Sequence, residues 1–270
     1  MKVALLTTAP GDLAKYFAQQ YAAELKKHGI TLHMIAIDTQ EYKKKHFLRH
    51  AFRVAIRQGR IAGCSTITSL LRIIVWKFIN KLTAASDDQA ESEIPRDIEM
   101  REVPSLNSKE TISILRNENC DLICLMGTRI LTPQTLRSLD ANIINIHSSD
   151  PSLIRGGPVV VWEVLAGKKE ITLSIHKVTP ELDSGDILMQ ALQPILHEKG
   201  LGLTIQRTMY AAKEKVALLY KEVILGIHRG QIVPSQSVKG PLRVTPSVFQ
   251  TLRAEIACRR RAYEKMRTTQ

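Results

Sequence analysis

Apolar and polar positions follow two rhythms along this chain. Short β-branched and apolar runs of strand length occur at Val3 to Thr8, Ile30 to Asp38, Asp121 to Met126 and Ile171 to Val178, and the most apolar is Asp121 to Met126. Further strands are expected at Ile98 to Val103, Ile143 to His147 and Ile187 to Gln190. Longer segments repeat apolar residues at helical spacing. One helix should run from about Leu13 to His28, with Asp12 as N-cap and Gly29 as its stop; a second, capped by Asn107 or Ser108, should run through Asn117. Others are expected over Pro158 to Leu165, Thr204 to Ile227 with Gly226 and Gly230 marking its end, and Pro246 to Arg267. Strand, turn, helix and strand open the chain as a βαβ unit. The expected fold is therefore α/β and Rossmann-like, a mostly parallel twisted sheet with flanking helices, plus a helical insertion and a short C-terminal helical extension.

The insertion has its own pattern. Tyr42 to Leu82 reads as two helices broken near Gly59 to Gly63, with Arg49, Arg53, Arg57 and Arg60 in one basic stripe and Leu70, Leu71, Ile74 and Phe78 supplying an apolar face. Thr83 to Glu93 is a polar, acidic linker. The organisation expected is a catalytic domain over 1–230 that carries the basic helical insertion and linker at 41–93, followed by a short extension over 231–270. That extension reads as a hairpin-like stretch and then a basic helix.

A chain of 270 residues can bury one sizeable α/β core, and 44% hydrophobic residues with 24% charged is ordinary for a globular protein. The net charge of +12 becomes informative once located: ten Lys or Arg stand against one Glu between Glu41 and Leu82, and seven against two between Leu242 and Gln270. The rest is close to neutral, so the basic character belongs to two segments rather than to a nucleic-acid cleft. Arg72 and Lys77 interrupt the apolar run, which argues against a membrane-spanning helix. A solvated surface pair is the plain reading of those helices, and weak peripheral membrane contact is the sharper one. Four cysteines form no CxxC pair, and Met1-Lys2 leads straight into an apolar strand with no cleavable leader, so a cytoplasmic location is expected. The oligomeric state is left open.

Chemistry concentrates between Asn142 and Gln190. Alternation along a strand places Asn145 and His147 on one face and Ile144 and Ile146 on the other. The strand through Val178 runs into Thr179-Pro180-Glu181-Leu182-Asp183-Ser184-Gly185, a turn able to hold the Asp183 carboxylate near that pair. Taken singly, a strand-end His is commonly structural and an Asp before Gly is commonly a turn former. His176 is expected to pack inside, with pocket lining as the alternative, and Trp162 to fill core. No Gly-x-Ser-x-Gly elbow supports a serine hydrolase, and the His and Asp residues lack a metal-ligand spacing, so no metal is expected.

These residues resemble the formyltransferases that use 10-formyltetrahydrofolate, the superfamily of glycinamide ribonucleotide, methionyl-tRNA and amino-sugar formyltransferases. Asn145-Ile146-His147 is similar to the family's Asn-x-His, Arg155-Gly156-Gly157 to the end of its Arg-Gly loop, and Leu182-Asp183-Ser184-Gly185 to its Asp-x-Gly turn, 38 residues beyond Asn145. Gly127-Thr128-Arg129-Ile130-Leu131 resembles its pterin-holding loop. The resemblance implies a formyltransferase fold and N-formyl transfer from 10-formyltetrahydrofolate, as cosubstrate, to a primary amine. Asn145, His147 and Asp183 would be catalytic: the Asn and His donate to a developing oxyanion, and Asp183 holds the imidazolium or an ordered water and accepts the leaving proton. Met126, Gly127, Arg129, Ile130, Leu131, Arg155, Gly156, Thr179 and Glu181 would bind the cofactor.

Two departures narrow the acceptor. The family's ribonucleotide-forming members carry a Gly-rich phosphate loop where this chain has Thr8-Ala9-Pro10-Gly11-Asp12, which loses an amide donor at Pro10 and gains negative charge at Asp12. About forty residues follow Gly230, too few for the tRNA-contacting barrel of the methionyl-tRNA enzymes. The expected acceptor is therefore a small amine, an amino sugar attached to a nucleotide, with no tRNA partner. The rival readings are a formyltetrahydrofolate hydrolase and, from another class, a non-catalytic scaffold attached to anionic partners.

Overall fold

The computed structural model describes residues 1–40, 94–244 and 246–268. The helices expected over Tyr42 to Leu82, their arginine stripe and the acidic linker through Glu93 lie outside the described residues.

In chain order the elements are β1 (Lys2–Thr8), α1 (Asp12–Lys27), β2 (Thr31–Asp38), β3 (Glu99–Val103), α2 (Lys109–Asn117), β4 (Leu122–Leu125), α3 (Pro133–Arg137), β5 (Asn142–His147), β6 (Arg155–Gly156), α4 (Val159–Leu165), β7 (Glu170–Lys177), β8 (Ile187–Pro194), α5 (Leu201–His228), β9 (Leu242–Arg243) and α6 (Val248–Thr268). Seven strands form one sheet in the order β3-β2-β1-β4-β5-β7-β8. β3, β2, β1, β4 and β5 are parallel, while β7 and β8 are antiparallel additions. This is the mostly parallel, Rossmann-like architecture expected of the pattern.

Alternate residues of the central strands feed two cores. Val3, Leu5, Cys124 and Ile144 face α1, α4, α5 and α6, whereas Ala4, Leu6, Ile123 and Ile143 face α2 and the loop before α3. Burial raises the Cys124 thiol well above its ordinary range and the Cys120 thiol to about 11, so both behave as small hydrophobes.

Local expectations are corrected in several places. Asp12 is the first helical residue of α1 rather than its cap; the cap is Gly11, whose φ of 79° suits glycine. Ser108 caps α2 by accepting the Thr111 N–H at 3.1 Å, which leaves Asn107 for another task. Gly226 lies inside α5 rather than at its end, and a Cβ there would meet Ile232 Cδ1 at 2.7 Å. Trp162 is half-buried: its indole N–H donates to the Val244 carbonyl at 3.1 Å and the Arg243 guanidinium sits 5.0 Å over its ring.

Among the described residues after Gly230 the pairing is with the body rather than within a hairpin. Ser235 bridges Ile187 at the start of β8, and β9 pairs in parallel with β6. α6 then buries Ala254 and Cys258 in the same core as β1. It also turns Glu255 inward, where Oε2 accepts the Leu201 N–H at 2.6 Å and caps α5 from outside. The extension is thus packed into the body.

Candidate active site

β5 and β7 run antiparallel with Asn145 opposite His176 and His147 opposite Ser174. Alternation along β5 puts Asn145 and His147 on the face away from Ile144, as the sequence implied, and the register adds His176 beside them.

Each imidazole has one nitrogen fixed by a carbonyl, and that fixes what the other can do. His147 Nε2 lies 3.0 Å from the Ile154 carbonyl, which can only accept, so Nε2 carries hydrogen. His147 Nδ1 then faces Asp183 Oδ2 at 3.5 Å. In a neutral ring of that tautomer Nδ1 carries the lone pair, and it is the nitrogen that faces the carboxylate. His176 Nδ1 donates to the Lys177 carbonyl at 2.8 Å, which leaves its Nε2 to receive the Asn145 amide N–H at 3.4 Å. Burial holds His176 below its ordinary pKa, the Lys177 carbonyl and Asp183 pull it back up in part, and His147 lowers it further. A neutral His176 is the form that can orient the Asn145 amide.

Asp183 sits at φ 47°, a left-handed conformation that Asp tolerates better than most residues. Its Oδ2 accepts the Gly156 N–H at 2.9 Å and its Oδ1 lies 3.6 Å from His176 Nε2. The turn closes behind it: Thr179 and Ser184 hydroxyls meet at 2.8 Å, both reach the Glu181 carbonyl, and a Cβ on Gly185 would overlap the Lys177 carbonyl at 1.9 Å. A buried chain anchors the segment after His147, in which Gln190 donates to Ser174, Ser174 to the Ser149 carbonyl, and the Ser149 hydroxyl to Glu163.

Two cavities meet at Asn145. The first, about 460 Å³, is lined by Arg129, Ile130, Leu131, Gly156 and Thr179 of the expected cofactor set, together with Leu136, Val178, Leu182, His176 and Asp183. The second, about 410 Å³, lies on the α1 and α5 side and is lined by Asp12, Gly127, Ser148, Tyr210 and Lys213 among others. Asn145 and Thr128 line both.

Not every residue expected to bind cofactor is brought to the first cavity. Met126 is buried in the core, because its N–H continues the β1–β4 ladder to Leu6. Gly127 faces the second cavity. Arg155 is held by its own chain: Nε donates to the Gly240 carbonyl at 2.8 Å and Nη1 to Glu181 at 2.7 Å and to the Leu182 carbonyl at 3.2 Å. Glu181 also pairs with Lys239 at 2.5 Å and turns to solvent, where both partners hold its carboxyl below the usual range. Gly156 lines the cavity, but the close approach that requires glycine is to the segment 231–244, a strap that ends in β9, since a Cβ would meet the Arg243 carbonyl at 2.6 Å.

Sequence reasoning missed Asn107, Lys213 and Tyr210. Asn107 accepts from Thr132 N–H and Thr135 Oγ1, both at 2.8 Å, and donates to the Ile130 carbonyl at 3.0 Å, so one side chain shapes the wall from 130 to 135. Its place ahead of a helix looked like a cap and hid this role. Lys213 and Tyr210 sit on the helical face of α5, where only tertiary packing shows which cavity they border.

The sequence profile of the family described as formyl transferase matches residues 76–220. Among curated relatives, a methionyl-tRNA formyltransferase from Rhodopirellula baltica is 36% identical over 100 residues, 36% of this chain and 30% of that protein. Another, from Enterococcus faecalis, is 28% identical over 124 residues, 44% of this chain and 37% of that protein. The matches to these relatives thus span less than half of their length. A sugar N-formyltransferase from a Shewanella species shares the fold, with TM-score 0.56 and 14% identity over 94% of this chain and 87% of its own. So does a phosphoribosylglycinamide formyltransferase from Anaplasma phagocytophilum, with TM-score 0.54 and 21% identity over 85% of this chain and 88% of its own.

Proposed function

Because this chain belongs to the formyl transferase family, we propose that it moves a formyl group from 10-formyltetrahydrofolate to a primary amine, and that the amine is carried by a nucleotide-linked amino sugar. One observation carries the reading: Asn145 lines both cavities, so a donor bound on one side and an amine on the other would meet at its amide.

The first cavity fits the formyl donor by its chemistry. Leu131, Leu136, Val178 and Leu182 offer apolar walls to a flat ring, and Ile130, 70% exposed, stands at the rim as an apolar surface for a ligand to cover. The donor supplies a formyl carbon. The amine nitrogen would attack the formyl carbon while Asn145 Nδ2 and a proton on His147 Nδ1, the ring nitrogen not committed to the Ile154 carbonyl, donate toward the oxygen on which negative charge develops. Asp183 would take the proton that leaves the amine, and collapse would break the bond between the formyl carbon and the folate nitrogen, which departs with that proton. Asp183 can take the proton while retaining the Gly156 N–H, which keeps it in place.

The second cavity supports the choice of amine. The Ala9 N–H is held by the Asp38 carbonyl and the Gly11 N–H by Thr8, both at 3.0 Å, so the loop after β1 has no amide cradle for a phosphate at those positions. Among the described residues Asp12, Ser148, Tyr210 and Lys213 instead offer hydroxyl-binding groups and one cation. We place this chemistry in a catalytic unit over 1–230, clasped by the segment after it.

The test is an assay of the purified protein with 10-formyltetrahydrofolate and a panel of nucleotide-linked amino sugars, read by mass spectrometry. An N-formyl product supports the reading. Formate release at the same rate with and without amine would point to a hydrolase, and neither product nor folate binding by calorimetry to a scaffold.

A further inference from the structure

α6 has two unlike faces. Ala254, Cys258 and Ala262 are buried against α4 and α5. The opposite face carries Phe249, Leu252, Ile256, Tyr263 and Met266, which are 80%, 53%, 58%, 60% and 47% exposed, at spacings that keep them on one side of a helix. Arg253, Arg260 and Arg267 fall seven residues apart within that side, and Arg259 flanks it. Along the whole helix six Lys or Arg stand against two Glu. One of the two, Glu255, accepts the Leu201 N–H through Oε2 and pairs through Oε1 with Arg259 at 2.8 Å, and the other, Glu264, pairs with Arg260 at 2.8 Å, so the outer side keeps a net positive charge. Leu242 and Val244, both more than half exposed, continue the apolar surface beyond the helix.

We propose that the outer face of α6 docks this protein on an anionic lipid bilayer. The helix lies along the surface, with Phe249, Leu252, Ile256 and Tyr263 at the boundary between headgroups and acyl chains and the arginines on lipid phosphates. Charge selects this occupant. A second copy on the same face would bring two arginine rows together. A nucleic acid would satisfy the arginines and leave five large apolar side chains in water. A bilayer satisfies both groups, and no helix among the described residues is long and apolar enough to cross it, so α6 lies on the surface. The proposal does not depend on which amine is formylated.

The test is co-sedimentation of the full chain with phosphatidylcholine vesicles, with and without about 30% phosphatidylserine, at low salt and at about 0.15 M. Three forms are compared: wild type, R253Q/R260Q/R267Q and F249S/I256S. Circular dichroism and thermal unfolding confirm that the variants fold, which is expected at exposed positions. Wild type should pellet with the anionic vesicles and stay in solution with the neutral ones. The arginine variant should lose at least about 100-fold in partitioning, and the apolar variant should lose the binding that survives 0.15 M salt. No pelleting of wild type at either salt overturns the proposal, as does equal binding by all three forms, which would place the contact elsewhere in the chain. Binding to a duplex or single-stranded RNA that the arginine variant loses, without vesicle binding, would identify a nucleic acid, and a dimer dissolved by F249S/I256S would identify a second copy.

Discussion

His147 presents Nδ1 to Asp183 Oδ2 at 3.5 Å because its Nε2 is committed to the Ile154 carbonyl at 3.0 Å. The tautomer is set by a backbone carbonyl seven residues away, so a proton on Nδ1 has a carboxylate to meet. In the proposed reaction this pair handles the proton, while Asn145 stands where the two cavities touch.

Asn145→Ala and His147→Ala should each lower turnover by about 100-fold or more, the loss expected for a donor to developing negative charge. Their stabilities should differ. Asn145 makes one long bond to His176, so its loss should cost less than about 1 kcal/mol, whereas His147→Ala strands the buried Ile154 carbonyl and should cost about 1–3 kcal/mol. Steady-state kinetics with denaturant unfolding checks both, and near-wild-type turnover in either variant would remove that residue from the mechanism.

Asp183→Asn should keep the turn, because Asn also tolerates a left-handed backbone and its carbonyl oxygen can accept the Gly156 N–H. The charge is lost, so turnover should fall by about 100-fold or more with little change in melting temperature. Asp183→Val should instead lose stability, since a β-branched residue at φ 47° is strained. An active Asp183→Asn protein would reduce the carboxylate to a turn former.

His176 sets an acid limit. Its folded pKa lies below the unfolded value of about 6.5, so the unfolded chain takes up its proton first as pH falls. The sign follows: stability should be unaffected by this group above about pH 7, decline as pH drops through about 6.5, and stop declining below the folded pKa. Protonation of the folded protein also puts hydrogen on Nε2, which can then no longer receive the Asn145 amide, so turnover should fall at lower pH than the onset of the stability loss, as pH passes through the folded pKa. His176→Gln should flatten the stability slope there, and an unchanged slope would show that His176 does not control it.

Gly156→Ala adds a Cβ that would approach the Arg243 carbonyl to 2.6 Å at φ 78°, so β6 and β9 must separate. The melting temperature should drop by several degrees, corresponding to about 1–3 kcal/mol. Because the Gly156 N–H holds Asp183, turnover should fall as well. Thermal unfolding and kinetics on the same preparation detect both, and a stable but inactive variant would contradict the coupling.

Much of this was legible along the chain. The apolar runs of β1, β2, β4 and β7 announced themselves because strands buried on both faces need no alternation to be seen. Asn145 and His147 shared a face through the period of two, and Asp183 was marked by its turn. Other features depend on partners remote in sequence. α3 and the β6–β9 pair are too short to leave a periodic signal. His176 became a neighbour of Asn145 only through the register between β5 and β7, while Arg155 and Glu181 were drawn to each other and to the strap rather than to the cavity. Residue type alone did not separate Met126, in the core, from Ile130, at the rim.

The strap also bears on how the protein is made. Arg155 is held by the carbonyls of Gly240 and Pro241, the first of them 85 residues further along the chain, and Gly156 beside it holds Asp183. During synthesis from the N-terminus the central strands can pair before that segment has left the ribosome. A nascent chain that already has its sheet would therefore still lack a fixed carboxylate, and catalytic competence should arrive late, as β9 closes onto β6.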